Sequence, residues 1–379
     1  MKAIDHTRFE SEPALGRDND HRAKREREAL DRIEQVRSRP PRFRDEHITM
    51  AHGAGGKASA TLVRGLFVPA FASAALEELG DAGIVALGDM NLAITTDSFV
   101  VRPLVFPGGS IGELAVNGTV NDLAVSGARP LALTLALVLE EGLSAEALTR
   151  EIEAIARAAA AAGVRVVAGD TKVVERGHAD GMYICTTGIG RVDARASLSP
   201  ASMRPGDRIL VSGRIGAHGT AIMLARGEFE LDAEITSDTR SLWPVANALL
   251  DTAGAALRCM RDATRGGVAS VLNELAVASG VSVLVNERAV PVDPAVAGAC
   301  ELLGIDPMYV ANEGQLVAVV SEETSARALE ALRAIPGCED AAEIGTVHRE
   351  PHGMVLVQTA FGGRRVMDLL VGDPLPRIC

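Results

Sequence analysis

The sequence is poor in aromatic residues, which make up only 3% of its 379 positions, although 47% of the positions are apolar. Any core must therefore consist mainly of Ala, Val, Leu and Ile, a composition that suits mixed α/β architecture and argues against disorder. Basic residues are also outnumbered, since the formal net charge is −12. This balance argues against a nucleic-acid partner, which would select a basic surface.

Long apolar runs are absent as well: no stretch approaches a membrane span, and the N-terminus has no apolar region typical of a signal peptide. The cysteines show neither CxxC spacing nor a regular pairing pattern, which predicts reduced thiols. We therefore expect a cytoplasmic protein without a membrane partner. The five cysteines are Cys185, Cys259, Cys300, Cys338 and Cys379.

The last residue of the sequence, Cys379, differs from the other cysteines. Chain ends pack poorly, and an exposed thiol is open to oxidation, so a terminal cysteine is a poor structural residue. Pro374 and Pro376 stiffen the segment that precedes it. We interpret residues 373–379 as a flexible tail that carries a reactive thiol, with a frayed end of no function as the simpler alternative.

The length predicts two domains. Residues 1–46 are rich in charges of both signs, and we expect a largely disordered extension there. Residues 47–198 would form a first domain. Two prolines within residues 197–207 mark a linker, and residues 199–372 would form a second domain with a partly antiparallel sheet. The predicted fold class is therefore α+β, with mixed α/β sheets.

A glycine-rich loop opens the first domain. Its candidate ligand-binding residues are Gly53, Gly55, Gly56 and Lys57. The loop is not a phosphate-binding Walker motif, because Ala58 stands where a magnesium-binding Ser or Thr is required. It satisfies a G-x-G-x-x-A pattern only weakly. A mobile loop that closes over phosphates and a plain turn remain equally good interpretations.

Acidic residues recur at predicted strand ends and in one apolar helix of the first domain. Asp97 follows a β-rich run, and Asn121 and Asp122 lie within the helix. Asp170, Thr171 and Lys172 follow the predicted buried strand 164–168. Any one carboxylate could be a turn or cap residue. Together they predict a site for Mg²⁺ and a nucleotide, with Asp97, Asp122 and Asp170 as metal ligands.

In the second domain, a helix predicted over residues 268–279 begins behind a glycine pair. Its N-terminus is a candidate anion site, which would include Asp262, Thr264, Gly266 and Gly267. Glu274 lies within the helix. His218, in a predicted glycine-rich loop, could be a catalytic base, although a histidine that only forms hydrogen bonds is the more common outcome.

Several of these stretches, in this order, resemble the HypE family of hydrogenase maturation factors. The family belongs to the superfamily of aminoimidazole ribonucleotide synthetase, selenophosphate synthetase and thiamine-phosphate kinase. The resemblance covers about residues 47–379, and the terminal Pro-Arg-Ile-Cys is its most specific motif. The other matching stretches are residues 52–57, 95–99, 117–122, 169–172 and 261–267.

The resemblance implies a two-domain fold like that of aminoimidazole ribonucleotide synthetase, dimerising through the N-terminal domain. It also implies ATP-dependent dehydration of a carbamoyl group on Cys379 to a thiocyanate, with Mg²⁺ bound. The group would come from the carbamoyltransferase HypF, and the cyanide would go to iron held by the HypC–HypD complex. Either Lys172 or Glu274 would take the amide protons.

Two other interpretations stay open from the sequence alone. The chain could be a nucleotide-binding carrier or scaffold that holds a group on its thiol without converting it. It could also be another ATP-dependent phosphotransferase of the superfamily. A selenophosphate synthetase is disfavoured, because no cysteine lies near the glycine-rich loop.

Overall fold

Two mixed β-sheets, one in each half of the chain, organise the fold. A computed structural model describes residues 28, 41–227, 234–372 and 377–379. The predicted disordered extension therefore lies almost entirely outside the described residues, as does part of the predicted tail. Among the described residues, no helix is long and apolar enough to cross a membrane.

The first sheet has five strands in the order β1-β2-β7-β5-β6. All neighbouring strands are antiparallel except β5 and β6, which are parallel. The strands are β1 (Gly83–Leu87), β2 (Met90–Phe99), β5 (Ala128–Glu140), β6 (Arg165–Val174) and β7 (Met182–Val192). A two-stranded ribbon of β3 (Val105–Phe106) and β4 (Gly109–Ser110) follows β2 in the chain.

The second sheet has seven strands in the order β14-β13-β10-β12-β8-β11-β9. Its only parallel pair is β10 and β13. The strands are β8 (Arg208–Val211), β9 (Leu257–Asp262), β10 (Ser282–Asn286), β11 (Leu316–Val320), β12 (Ala342–His348), β13 (Val355–Gln358) and β14 (Arg364–Met367). The predicted partly antiparallel sheet is therefore present.

Ten α-helices are described. Around the first sheet they are α1 (Lys57–Leu62), α2 (Val68–Phe71), α3 (Ala74–Glu77), α4 (Ile111–Val125) and α5 (Ala145–Ala162). A π-helical turn, Val63–Phe67, joins α1 to α2. In the second half they are α6 (Ala217–Ala225), α7 (Trp243–Ala253), α8 (Gly267–Ser279), α9 (Pro294–Leu303) and α10 (Glu322–Arg333).

Helix α4 is buried on almost every side because it lies between the two halves. It packs against β2, β5 and β7 of the first sheet, and against α7 and β9 of the second half. An apolar helix without a polar face is typical of such a central position. The polar residues of α4 are therefore held inside the protein, where each needs a partner.

The outer face of the first sheet exposes apolar side chains. Successive residues of a strand point to opposite faces. The exposed positions of β7 and most of those of β2 fall on one face, whereas β1 is exposed on both. This outer face is defined by Val85, Leu87, Met90, Ile94 and Ile189, which are 49%, 57%, 48%, 39% and 37% exposed. A contiguous apolar face of this kind usually marks an interaction surface.

Local sequence signals predicted some elements well and others poorly. Ser144 and Gly163 predict the two ends of a helix through Ala162, and both are confirmed: α5 begins after Ser144, whose hydroxyl accepts from the Ala147 amide, and ends at left-handed Gly163. The expected buried strand over residues 164–168 is wrong: β6 continues to Val174 and is exposed along almost its whole length. His218 lies in α6 and not in a loop.

Candidate functional site

Five carboxyl groups from both halves form the centre of the site, and we call them the acidic cluster. Asp262 and Glu313 are buried, and Asp81, Asp97 and Asp122 are half-buried. Asp97 comes from β2 and Asp122 from α4, while Asp262 ends β9. Asp81 precedes β1, and Glu313 precedes β11. Strand ends and a central helix therefore bring together residues that are more than 200 positions apart.

Burial raises the pKa of every carboxyl in the acidic cluster. The rise is largest for Asp122, Asp262 and Glu313, because neighbouring carboxylates add to the effect of burial. Desolvation and like charge both disfavour the ionised form. A cation at this position would relieve both penalties.

Two arginines offset part of the negative charge. Arg261 donates to the Asp81 carboxylate at 2.5 Å and to the Leu79 carbonyl at 2.7 Å. The positive charge of Arg265 lowers the pKa of Asp97 and of Glu313, against the larger effect of burial. The cluster nevertheless keeps an excess of negative charge.

The donor set fits an ion that shares its coordination with other ligands. Among the residues that the structure describes, no three His, Cys, Asp or Glu side chains are placed to hold an ion by themselves. Mg²⁺ in proteins commonly takes one or two carboxylates and completes its shell with waters and phosphate oxygens. Asp97, Asp122 and Asp262 offer carboxylates for that mode, with at most two of them on one ion.

The glycine-rich loop lies against the second half. A Cβ at Gly55 would come within 2.8 Å of the Arg265 carbonyl, and one at Gly56 within 2.6 Å of the Leu370 carbonyl. The backbone positions thus require glycine. The ammonium of Lys57 pairs with Asp368 at 2.8 Å. The loop is therefore more than a plain turn, since it closes one side of the site.

The N-terminus of α8 faces the same loop. Gly266 and Gly267 have left-handed backbone angles, and the Ser270 hydroxyl donates to the Gly55 carbonyl at 3.2 Å. The Gly267 amide donates to the Thr264 carbonyl at 2.8 Å. Glu274, predicted as a base, lies on α8 with an exposed side chain, but desolvation raises the pKa of its carboxyl and the charges of Arg261 and Asp81 act on it.

Asp170 and Lys172 lie apart from the acidic cluster within one chain. They are on β6, three strands from β2, a separation of roughly 14 Å at the usual strand spacing. Their side chains pair with each other at 2.5 Å and are 65% and 68% exposed. The expectation that Asp170 shares an ion with Asp97 and Asp122 of the same chain therefore does not agree with the structure.

Asn121 has a structural role. Its amide nitrogen donates to the carbonyls of Arg240 and Glu313 at 3.0 and 3.1 Å, and its oxygen accepts from the Leu242 amide at 2.7 Å. These bonds use both N–H groups of the side chain. The predicted contact between Asn121 and the nucleotide is thus not supported by its geometry.

Residues 234–242 pass between the halves, and we call them the connector. The Ser237 amide donates to the Pro107 carbonyl, and the Asp238 carboxylate accepts from the amides of Glu313 and Gly314. A Cβ at Gly314 would lie 1.8 Å from the Asp238 carbonyl, so only glycine fits there. The connector fixes the position of Glu313.

The three described residues of the tail are docked in the structure. The amides of Val100 and Arg102 donate to the main-chain oxygens of Cys379 and Arg377 at 3.1 and 3.4 Å. The Ile378 side chain is only 3% exposed and joins the core beside α6.

Cys379 lies beside the glycine-rich loop and the start of α8. It lines a cavity of about 120 Å³. The other lining residues include Gly53 of the glycine-rich loop, together with Arg265, Gly266 and Tyr309. The thiol thus lies between the glycine-rich loop and the start of α8.

Comparison with known proteins gives the family. Residues 79–192 match the family described as AIR synthase related protein, N-terminal domain, and residues 204–358 match the corresponding C-terminal domain. The chain is 47% identical over 341 residues to carbamoyl dehydratase HypE of Rhodobacter capsulatus, covering 89% of this chain and 99% of the relative. It belongs to the HypE family of carbamoyl dehydratases.

Other HypE proteins support the same family assignment. The Escherichia coli K12 carbamoyl dehydratase HypE is 45% identical over 339 residues, which cover 88% of this chain and 99% of the relative. A crystal structure of HypE in complex with ATP is 43% identical, with a TM-score of 0.74, and covers 88% of this chain and all of that one. The aminoimidazole ribonucleotide synthetase-like fold with mixed sheets is confirmed.

A HypE–HypF complex is also similar. It is 43% identical, with a TM-score of 0.78, and covers 82% of this chain and 99% of the matched chain.

Sequence reasoning missed three charged residues of the site, namely Asp81, Arg261 and Glu313. Asp81 and Glu313 each precede a strand, whereas the acidic residues that drew attention follow a predicted strand or lie in an apolar helix. Neither lies in an apolar run, so the cost of its burial was not visible in the sequence.

Proposed function

We propose that this HypE-family enzyme uses ATP to dehydrate a carbamoyl group carried on Cys379, leaving a thiocyanate. The observation that supports this most directly is the docked Cys379 in a cavity shared with Arg265 and the glycine-rich loop. The product would supply the cyanide ligand for the iron of a nickel–iron hydrogenase. HypF would supply the carbamoyl group, and the HypC–HypD complex would receive the cyanide.

The chemistry has two steps. An amide oxygen is a poor leaving group. In the first step it attacks the γ-phosphate of ATP, which releases ADP and turns the oxygen into part of a phosphate ester, a better leaving group. Loss of inorganic phosphate and of the remaining N–H proton then forms the C≡N bond. The carbamoyl nitrogen loses two protons in all, and a base takes each of them. The former amide oxygen leaves as part of inorganic phosphate, so atoms and electrons balance.

The residues of the site divide these tasks. Asp97, Asp122 and Asp262 would hold Mg²⁺, which would offset the charge of the ATP phosphates. The glycine-rich loop and the start of α8 would contact the phosphates through their backbone amides. Arg265 lines the same cavity as Cys379 and adds positive charge beside the developing phosphate.

Glu313 is the best-placed candidate base within one chain. It is 3% exposed, and burial raises the pKa of its carboxyl well above the usual range. A carboxylate whose pKa is moved toward neutrality can accept a proton and release it again. Glu274, by contrast, is solvent-exposed.

The outer face of the first sheet supports a homodimer. Its exposed apolar residues would be buried by the same face of a second copy. Such a dimer would also explain Asp170, Thr171 and Lys172, which are exposed on β6 in one chain. In the dimer, β6 of one copy would approach the site of the other, and Lys172 would act there.

Mass measurement of the C-terminal peptide tests the function. After incubation with a carbamoyl-donating partner, the peptide is expected to gain one carbamoyl group, and addition of Mg–ATP is expected to remove one water. Cys379→Ala should abolish both changes, whereas the control Cys185→Ala should show both. A carbamoyl group that persists with Mg–ATP would contradict the dehydratase and favour a carrier.

A further inference from the structure

His218 is a buried histidine whose two ring nitrogens both have partners. Its Nε2 lies 2.7 Å from the Ile378 carbonyl oxygen, and its Nδ1 lies 2.8 Å from the Ser237 hydroxyl. The edge of the ring also meets Phe106, with ring centroids 5.6 Å apart and planes at 89°. The side chain thus joins helix α6, the connector and the tail.

The partners determine the tautomer. A carbonyl oxygen can only accept, so Nε2 carries the hydrogen and donates it to Ile378. Nδ1 then accepts from the Ser237 hydroxyl, which itself accepts from the Thr239 amide at 3.1 Å. Burial lowers the pKa of His218 despite the opposing charge of Asp238, which keeps the ring neutral.

Helix α6 holds the tail at two successive carbonyls. His218, in its first turn, binds the Ile378 carbonyl, and Arg226, directly after its last residue, donates to the Arg377 carbonyl at 2.6 Å. The main-chain oxygen of the next residue, Cys379, accepts from the Val100 amide at 3.1 Å. Every described residue of the tail is therefore held by its backbone.

We propose that His218 is a positioning residue that holds Cys379 in the site through the Ile378 carbonyl. The contact involves only backbone atoms of the tail, so it is the same whether Cys379 carries a thiol, a carbamoyl group or a thiocyanate. Ser237 orients the ring and so keeps the donor directed at the tail. The inference depends on the proposed function only for the identity of the reaction. The docking of the tail does not depend on it.

Alkylation of Cys379 tests the docking without using the reaction. His218→Leu removes the donor and keeps an apolar side chain, so Cys379 should react with iodoacetamide about tenfold faster, as expected for the loss of one buried hydrogen bond. His218→Gln, whose amide nitrogen can occupy the place of Nε2, should restore most of the protection. Free glutathione in the same sample serves as the reference thiol.

The matched control is Thr220→Val. Thr220 is buried on the same helix, and its hydroxyl donates to the Gly216 carbonyl and not to the tail. In this variant, the alkylation rate of Cys379 and the dehydration rate of its carbamoyl group should equal those of the wild type. In single turnovers, His218→Leu should slow dehydration by a similar factor with ATP affinity unchanged, and His218→Gln should recover it.

Equal alkylation of Cys379 in His218→Leu and wild type would overturn the proposal, as would a His218→Gln variant that behaves like His218→Leu. If His218→Leu does not fold, Ser237→Ala replaces it, because the freed ring can turn its donor away from the tail. Unchanged alkylation in Ser237→Ala would then overturn the proposal. Wild-type protein that docks Cys379 but does not dehydrate its carbamoyl group would instead contradict the proposed function.

Discussion

The carboxyl groups of the acidic cluster are the most unusual side chains of this protein. Asp122 is held by the Thr95 hydroxyl, which donates to it at 2.6 Å, yet burial and the charge of Asp97 still raise its pKa well above the usual range. One hydrogen bond cannot replace the hydration of a carboxylate. Such residues destabilise the empty site and stabilise the cation that enters it.

Replacement of the two candidate bases separates their roles. Glu313→Gln keeps the size of the side chain and removes the proton acceptor, so dehydration of the carbamoylated enzyme should fall by roughly 100-fold or more. Glu274→Gln should stay near the wild-type rate, because Glu274 is exposed. The measurement is a single-turnover rate from peptide mass, with ATP affinity determined in parallel. Equal rates in both variants would exclude Glu313 as the base.

The sequence predicted the type of site better than the set of residues that form it. Asp97 and Asp122 were recognisable because each interrupts an apolar or β-rich run, and Asp262 because it precedes a glycine pair at a predicted helix N-terminus. Glu313 was not, since only the connector and α4, far away in the sequence, make its position buried. Asn121 looked like a ligand for the same reason as Asp122, and only its three backbone contacts show its structural role.

At the scale of elements, β6 shows how an edge strand differs from a central one. Near its start lies the apolar run Val166, Val167 and Ala168, which predicts a buried strand, but β5 pairs on both sides and β6 pairs only with β5. Hydrophobicity alone does not distinguish a strand buried in one chain from a strand that a second chain covers. By contrast, the cap residues of α5 act locally, and so its ends were predictable.

A charge on the outer face should disrupt the dimer. Ile189 and Ile94 are directly paired across β7 and β2 on that face, so Ile189→Glu places a carboxylate in the middle of the proposed interface. We expect a monomer by light scattering after gel filtration, with dehydration lost if Lys172 acts across the interface. Leu302→Glu, on exposed α9, is the control and should stay dimeric. An Ile189→Glu dimer would contradict the proposed interface.

The whole molecule should respond to pH in a direction set by the acidic cluster. The folded state holds protons on these carboxyls at pH values where the unfolded chain has lost them, because their pKa is raised. Their contribution to stability is therefore complete at low pH and is lost as pH rises from about 4 through the raised pKa values.

Mg²⁺ competes with those protons. The increase in Tm on adding Mg²⁺ to the metal-free protein should therefore be larger at about pH 8 than at about pH 5.5, since bound protons must leave before the ion binds. Asp122→Asn should raise the Tm of the metal-free protein at about pH 8 and reduce the gain from Mg²⁺. Differential scanning fluorimetry measures both. A Mg²⁺ effect that does not change with pH would contradict this account.

The connector also limits how homologous genes can recombine. Its residues contact α4 through Asn117 and Asn121, the Glu313 segment through Asp238, and His218 through Ser237. A crossover within residues 234–242 would join contact partners that had diverged in different lineages. Functional chimaeras of two relatives should therefore inherit residues 234–242, α4, α6 and residues 312–314 from one parent, while exchanges confined to the exposed side of α10 should be tolerated.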